Sequence, residues 1–304
     1  MLKRNKEKQS LTLVLGGGGA RGMAHVGVLR ILEREEIPIL RIVGTSMGAV
    51  IGAMYAQHPD VAEVERRLKE YFEGELFAET GFTIFRADDE PEGRFARMVD
   101  QARHYVRKRV KYHLSYSKTF MKSGIFNREP REMALRTLLD KSRIEECAIP
   151  FAAVATDLIS GEAIAVTGGS LHTAVAASMS IPGVFPPIRI GEKMLVDGSV
   201  IYPVPVRVAR SLSGGGKILA VDVSRALPPV KQMKRGFSIL LRAEEISRHQ
   251  LTRVEIAEAD VVLRPKVGAQ HWSEFEHADM FVRLGEEACE EALPKIREMV
   301  GIKK

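Results

Sequence analysis

Short apolar runs alternate along this chain with helical periodicities. Leu11–Leu15 reads as a buried strand, and Gly22–Glu36 follows as a helix with Met23, Val26, Leu29 and Leu32 on one face. Ile39–Val43 predicts the next strand and Met47–Gln57 the next helix, stopped before Pro59. This strand-helix-strand-helix order predicts an α/β fold with a parallel sheet and right-handed crossovers. Val61–Phe72 and Glu129–Asp140 carry further helical patterns, whereas residues 74–126 hold no clean period.

The strand pattern resumes at Phe151–Thr156, turns at Ser160-Gly161 and returns over Ala163–Val166. Leu171–Ser178 predicts a small-residue helix. Ile188–Ile190 and Met194–Val196 flank Gly191-Glu192-Lys193 as a hairpin. Lys217–Val223 and Asp260–Leu263 are strands around a helical region near 237–257. A terminal amphipathic helix puts Phe281, Leu284, Ala288, Ala292 and Ile296 on one face. The expected organisation is a basic tail at 1–9 and one domain over 10–302, with an insertion at about 74–126.

Composition narrows the class. At 304 residues, 45% hydrophobic and 28% charged, the chain has material for a full core and is neither disordered nor fibrous. Its net charge of +6 is unevenly spread: residues 101–123 hold seven Lys/Arg and no acid, and the first ten residues carry +3. The remaining body is therefore slightly acidic, which argues against a nucleic-acid binder and for one local basic surface. Two distant cysteines, Cys147 and Cys289, exclude a disulfide framework and give no zinc signature, so a reducing cytoplasm is expected. The apolar stretch after the basic N-terminus is five residues, short of the roughly 7–15 of a signal peptide. The run Met47–Ala56 is about half a membrane span.

Three glycine motifs carry the candidate chemistry. Gly16-Gly17-Gly18-Gly19-Ala20-Arg21-Gly22 lies between a strand and a helix and contains the Gly17-x-Gly19-x-x-Gly22 spacing of a dinucleotide site. That fingerprint wants an acid at the end of the second strand, where this chain has Gly44-Thr45-Ser46. The other reading needs only backbone N–H groups converging on an anion or developing oxyanion. Gly44-Thr45-Ser46-Met47-Gly48 is a G-x-S-x-G pentapeptide at a predicted strand-to-helix turn, the setting of a nucleophile elbow; a helix N-cap is the plainer role for Ser46. Asp197-Gly198-Ser199 is either a simple turn or a carboxylate at a strand end, aimed into the crevice of a parallel sheet. His249, His271 and His277 follow Asp197 in the order a Ser–acid–His triad requires, and His271 alone falls in a predicted loop. A triad and a Ser46–Asp197 dyad both fit.

Together, Gly17–Gly22, Gly44–Gly48, Asp197-Gly198 and the block Ala177-Ser178-Met179-Ser180-Ile181-Pro182-Gly183-Val184-Phe185-Pro186-Pro187 resemble the patatin-like phospholipases, over about residues 10–200. The resemblance implies a three-layer α/β/α sandwich with a mostly parallel central sheet. It also implies a Ser–Asp dyad without a catalytic histidine, and no cofactor or metal. It makes Ser46 the nucleophile, Asp197 the base and the Gly17, Gly18 and Gly19 amides the oxyanion hole, with Arg21, Gly22, Gly44, Gly48 and Gly198 supporting the loops. Ser199 stands where many members carry Gly or Ala. The implied substrate is a phospholipid or other acyl ester. The 101–123 cluster, with Tyr105, Tyr112 and Tyr116 among its cations, is a candidate lid or docking surface for anionic membrane, or a solvated loop. A non-catalytic adaptor and an acyltransferase using the same acyl-serine are the alternatives.

Overall fold

A computed structural model describes residues 10–74, 77, 129–227, 229–230, 236–268, 270 and 273–302. The tail at 1–9, nearly all of the 74–126 insertion including 101–123, and His271 lie outside them. The described strands are β1 (Leu11–Leu15), β2 (Ile39–Thr45), β3 (Phe151–Asp157), β4 (Ala163–Val166), β5 (Ile188–Ile190), β6 (Lys193–Asp197), β7 (Lys217–Val221) and β8 (Val261–Leu263). They form one sheet in the order β5-β6-β3-β2-β1-β7-β8, with β4 paired to β3. The run from β3 through β2, β1 and β7 to β8 is parallel, whereas β4, β5 and β6 pair antiparallel.

The described helices are α1 (Ala24–Arg34), α2 (Met47–Gln57), α3 (Val61–Glu73), α4 (Glu129–Leu138), α5 (Leu171–Ser178), α6 (Val206–Leu212), α7 (Gly236–Ile256) and α8 (Ala278–Val300). Period-2 alternation along the strands sorts them into two layers. Leu11, Leu13 and Leu15 pack with residues of α1, α2, α5 and α8 on one face, while Val14, Val43, Ala152 and Val154 pack with Val206 and Ala209 of α6 and Ile256 of α7 on the other. Burial on both faces explains why the parallel strands read as continuous apolar runs. The result is the expected three-layer α/β/α sandwich with a mostly parallel centre.

Several boundaries moved. The helix expected from Gly22 begins as a tight 3-10 turn over Gly19–Met23, and α1 starts at Ala24. The seven residues of α6 had no sequence signal, being short and preceded by Pro203 and Pro205. The terminal helix runs through Pro294. It belongs to the core: a Cβ on Gly27 would lie 1.9 Å from the Val282 carbonyl oxygen, and one on Gly285 1.9 Å from that of Ala24, so α1 and α8 cross in backbone contact. Arg30 of α1 then bridges Glu65 of α3 and Glu286 of α8. No helix among the described residues is long and apolar enough to cross a membrane.

Candidate active site

β2 ends at Thr45 and α2 begins at Met47, so the whole turn between them is Ser46, at φ 54° and ψ −123°. A positive φ at a residue with a side chain costs roughly 1–3 kcal/mol and persists only where the surroundings enforce it. The enforcement is steric. A Cβ on Gly48 would lie 2.2 Å from the Leu15 carbonyl oxygen, and one on Gly44 2.5 Å from that of Gly48. Only glycine lets strand and helix turn this tightly beneath the end of β1. The Ser46 hydroxyl makes no capping bond to α2, which removes the N-cap reading. Its main chain is fully used: the carbonyl accepts from Ala49 N at 2.9 Å and Val50 N at 3.1 Å, and its N–H donates to Ser178 Oγ at 3.0 Å.

Asp197 arrives from the opposite direction. Val154 of β3 pairs with both Thr45 of β2 and Ala165 of β4, which puts β2 and β4 on opposite edges of β3. Ala155 pairs with Ile164 of β4 and with Asp197 of β6, so β6 occupies the edge that β2 has just vacated. The strand end carrying Asp197 is thus antiparallel, not the parallel end expected from sequence. It runs back down β3 until it abuts the Ser46 turn.

The Asp197 carboxylate is 3% exposed and accepts a hydrogen bond from the Ser199 N–H at 2.8 Å, with the Ser46 and Ser199 hydroxyls close enough to favour its ionised form. Burial pushes its pKa above the ordinary carboxylate range. The Ser199 N–H, the neighbouring Ser46 and Ser199 hydroxyls and the field of Arg248 on α7 pull the other way without overcoming it. A simple surface turn would show neither the burial nor the partner.

The glycine loop passes over this pair. A Cβ on Gly17 would lie 2.5 Å from Ser199 Oγ and 3.2 Å from Ser46 Cβ. Gly16 N–H donates to Val221 O at 3.1 Å and Gly17 N–H to Pro203 O at 2.8 Å, so the Gly17 amide expected in the oxyanion hole is already engaged. Gly18 and Gly19 follow at φ −176° and +57°, and Gly19 sits in the left-handed region that glycine tolerates. Arg21 is buried and acts as a clamp, its Nε donating to Val223 O at 3.1 Å and its Nη1 to Gln270 O at 2.8 Å. Desolvation, helped by the charges of Arg225 and Arg248, lowers its pKa to about 10, so it stays cationic.

Two further residues escaped the sequence reading. His25, wholly buried, places Nε2 2.8 Å from Gly16 O, and burial lowers its pKa to about 4. The neutral ring donates from Nε2 and fixes the start of the loop from below. Its only signal was a histidine within the apolar run from Met23 to Leu32. Ser178 was visible as part of the 177–187 block but not as a neighbour of Ser46.

The triad alternative finds no support among the described residues. His249 on α7 is half-buried, and His277 faces Glu274 at 3.8 Å; no described histidine hydrogen-bonds Ser46 or Asp197. The dinucleotide alternative wanted an acid after β2, and Ser46 stands there. No group of three or more His, Cys, Asp or Glu among the described residues is arranged to hold a metal ion.

A family model described as Patatin-like phospholipase matches residues 13–210. Patatin-like phospholipase domain-containing protein ZK370.4 of Caenorhabditis elegans is 32% identical over 216 residues, covering 70% of this chain and 14% of that protein. Uncharacterized NTE family protein Mb1092c of Mycobacterium bovis is 30% identical over 203 residues, 67% of this chain and 46% of the relative. The matched segment thus spans less than half the length of either. Among solved structures, VipD from Legionella pneumophila aligns over 94% of this chain and 67% of its own, at 12% identity and a TM-score of 0.47.

Proposed function

The chain belongs to the patatin-like phospholipase family, and we propose that it is a serine acyl hydrolase cleaving fatty-acyl esters, phospholipids or lysophospholipids among them, with Ser46 and Asp197. The observation that carries the proposal is the strand junction that sets Ser46, strained at positive φ, beside the buried Asp197 carboxylate, whose pKa is raised. A nucleophile held against its base, with the base shifted toward neutrality, is the arrangement that general-base attack requires.

Ser46 Oγ bonds to the ester carbonyl carbon as its proton passes to Asp197. The carbonyl oxygen, now an anion, faces the glycine loop. With the Gly17 N–H given to Pro203, the Gly18 and Gly19 amides are the donors that stabilise it, a contribution of about 2.7–4 kcal/mol per donor in comparable sites. The C–O bond to the alcohol breaks and the leaving oxygen takes the proton from Asp197, giving acyl-Ser46. Water then attacks, losing a proton to Asp197, and Ser46 Oγ departs with that proton as the fatty acid is released. An aspartate is a weaker base than imidazole, by reference pKa values of about 3.9 and 6.5, and the upward shift of Asp197 by burial narrows that gap.

The catalytic unit in this reading is residues 10–302. The 101–123 cluster serves as its contact with an anionic membrane surface on the cytoplasmic side, without nucleic acid or cofactor. Hydrolysis of a p-nitrophenyl acyl ester tests the assignment: Ser46→Ala and Asp197→Asn each abolish it, and His271→Ala retains it. Loss of hydrolysis in His271→Ala as well would turn the mechanism into a Ser46–Asp197–His271 triad.

A further inference from the structure

In the parallel pairing of β2 with β3, Ile42 N–H donates to Pro150 O at 2.9 Å, and every second residue takes the next rung. Two steps on, Ser46 N–H stands opposite the Val154 carbonyl. The two do not meet. Ser178, at the end of α5 and wholly buried, sits between them: its Oγ accepts from Ser46 N–H at 3.0 Å and donates to Val154 O at 2.6 Å. A side-chain hydroxyl has been inserted as a rung of the sheet. The insertion sets Ser46 back from β3 by one hydroxyl group, and it does so where β6 must enter on the same edge.

The same turn holds the other catalytic partner. Two residues after Ser178, the Ser180 carbonyl accepts from Asp197 N–H at 2.9 Å. The turn is itself pinned. Ser180 Oγ donates to Ala176 O at 2.6 Å, and Arg131 of α4 donates from Nη1 to Ser180 Oγ at 2.7 Å and to Pro186 O at 3.3 Å. Two residues of one turn, Ser178 and Ser180, therefore hold the main chain of both Ser46 and Asp197, from a segment more than a hundred residues beyond the nucleophile.

We propose that Ser178 is a positioning residue for the nucleophile: its hydroxyl, bridging Ser46 N–H and Val154 O, sets the distance between Ser46 Oγ and Asp197. The proposal rests on the Ser46–Asp197 reading above. Removing the hydroxyl leaves Ser46 N–H either to close directly onto Val154 O or to lose its partner. Both outcomes displace Oγ from the carboxylate without touching the glycine loop or the bound ester.

The test compares Ser178→Ala, Ser178→Thr and Ser178→Cys with wild type and Ser46→Ala. It measures kcat and KM on a p-nitrophenyl acyl ester well below each thermal midpoint, normalised by fluorophosphonate titration of reactive serine. The expected result is a fall in kcat of about ten- to hundredfold for Ser178→Ala with KM within about twofold, the size of effect a displacement near 1 Å produces. Ser178→Thr, which keeps the hydroxyl, recovers most of the loss, and Ser178→Cys, a poor acceptor, does not. A role confined to folding would lower the thermal midpoint and leave normalised kcat unchanged. Wild-type kcat in folded Ser178→Ala, or in Ser178→Cys should the alanine variant not fold, overturns the proposal when Ser46→Ala is inactive. Activity in Ser46→Ala overturns the underlying dyad reading instead.

Discussion

Thr45 and Asp197 occupy consecutive pairing positions on one edge of β3, opposite Val154 and Ala155. One strand ends there running up the sheet and another ends there running down it. The residue after Thr45 is Ser46, so two residues separated by 150 positions in the chain meet at a strand junction. The geometry of the pair is therefore a property of the sheet, and perturbations of the sheet edge should register as losses of activity.

The pH dependence follows from the Asp197 environment. Burial holds its pKa above the ordinary aspartate range, and the base works ionised. We expect kcat/KM for a neutral ester to rise with pH through one ionisation lying above the reference aspartate value of about 3.9. Arg248 opposes the shift, so Arg248→Gln should move the limb to higher pH. A pH–rate profile of the two proteins checks both directions.

The same shift has a stability consequence of opposite sign to activity. A carboxyl whose folded-state pKa is raised binds its proton more tightly when folded, so stability is lost as pH rises from the unfolded value through the folded one. Asp197→Asn, permanently neutral, should show a thermal midpoint at pH 7 at or above wild type while being inactive. The difference should close in acid. Thermal denaturation across pH 3–8 measures it.

Asp157 behaves in the reverse way. Burial favours its protonation, but Met194 N–H at 2.9 Å, Ile159 N–H at 3.2 Å and the Ser160 hydroxyl at 2.9 Å hold its pKa below the ordinary range. Its contribution is present above the unfolded pKa and is lost as pH falls through the folded one. Asp157→Asn should be less stable than wild type at neutral pH, with the gap narrowing in acid. Denaturation midpoints at pH 7 and pH 3 decide it.

The elbow glycines and the loop clamp are separable. Gly48→Ala drives a methyl against the Leu15 carbonyl and should cost about 1–3 kcal/mol or more in stability together with activity, read by urea denaturation and ester hydrolysis. Arg21→Met keeps the stem but frees the Val223 and Gln270 carbonyls, so the oxyanion amides lose their anchor. We expect kcat to fall about tenfold or more, since loss of a single oxyanion donor costs about 10²–10³. Arg21→Lys should rescue poorly, because one ammonium lacks the planar fork that spans two carbonyls.

The parts legible in sequence were those whose signal is local. β1, β3 and the second half of β2 are buried on both faces and so read as apolar runs, and the tight turn at Ser46 demands the glycines that mark it. Asp197 was identified at a strand end, but the antiparallel direction of β6 carried no local mark. The resemblance implies Gly17 as an oxyanion donor, and the engagement of its amide by Pro203 O has no local mark because the acceptor lies far along the chain. Ser178 is the extreme case: its bond to Ser46 spans 132 residues, and nothing in a small-residue helix marks one serine as a rung of the sheet. Residues 101–123 lie outside the described structure, and the docking surface proposed for them rests on their composition.

The central claim is that Ser46 carries the acyl group with Asp197 as its base. Incubation with a fluorophosphonate, followed by peptide mass spectrometry, tests it most directly. The account predicts a single adduct on Ser46 in wild type, formed far more slowly in Asp197→Asn and absent in Ser46→Ala. An adduct on another serine, or undiminished ester hydrolysis by Ser46→Ala, would contradict it.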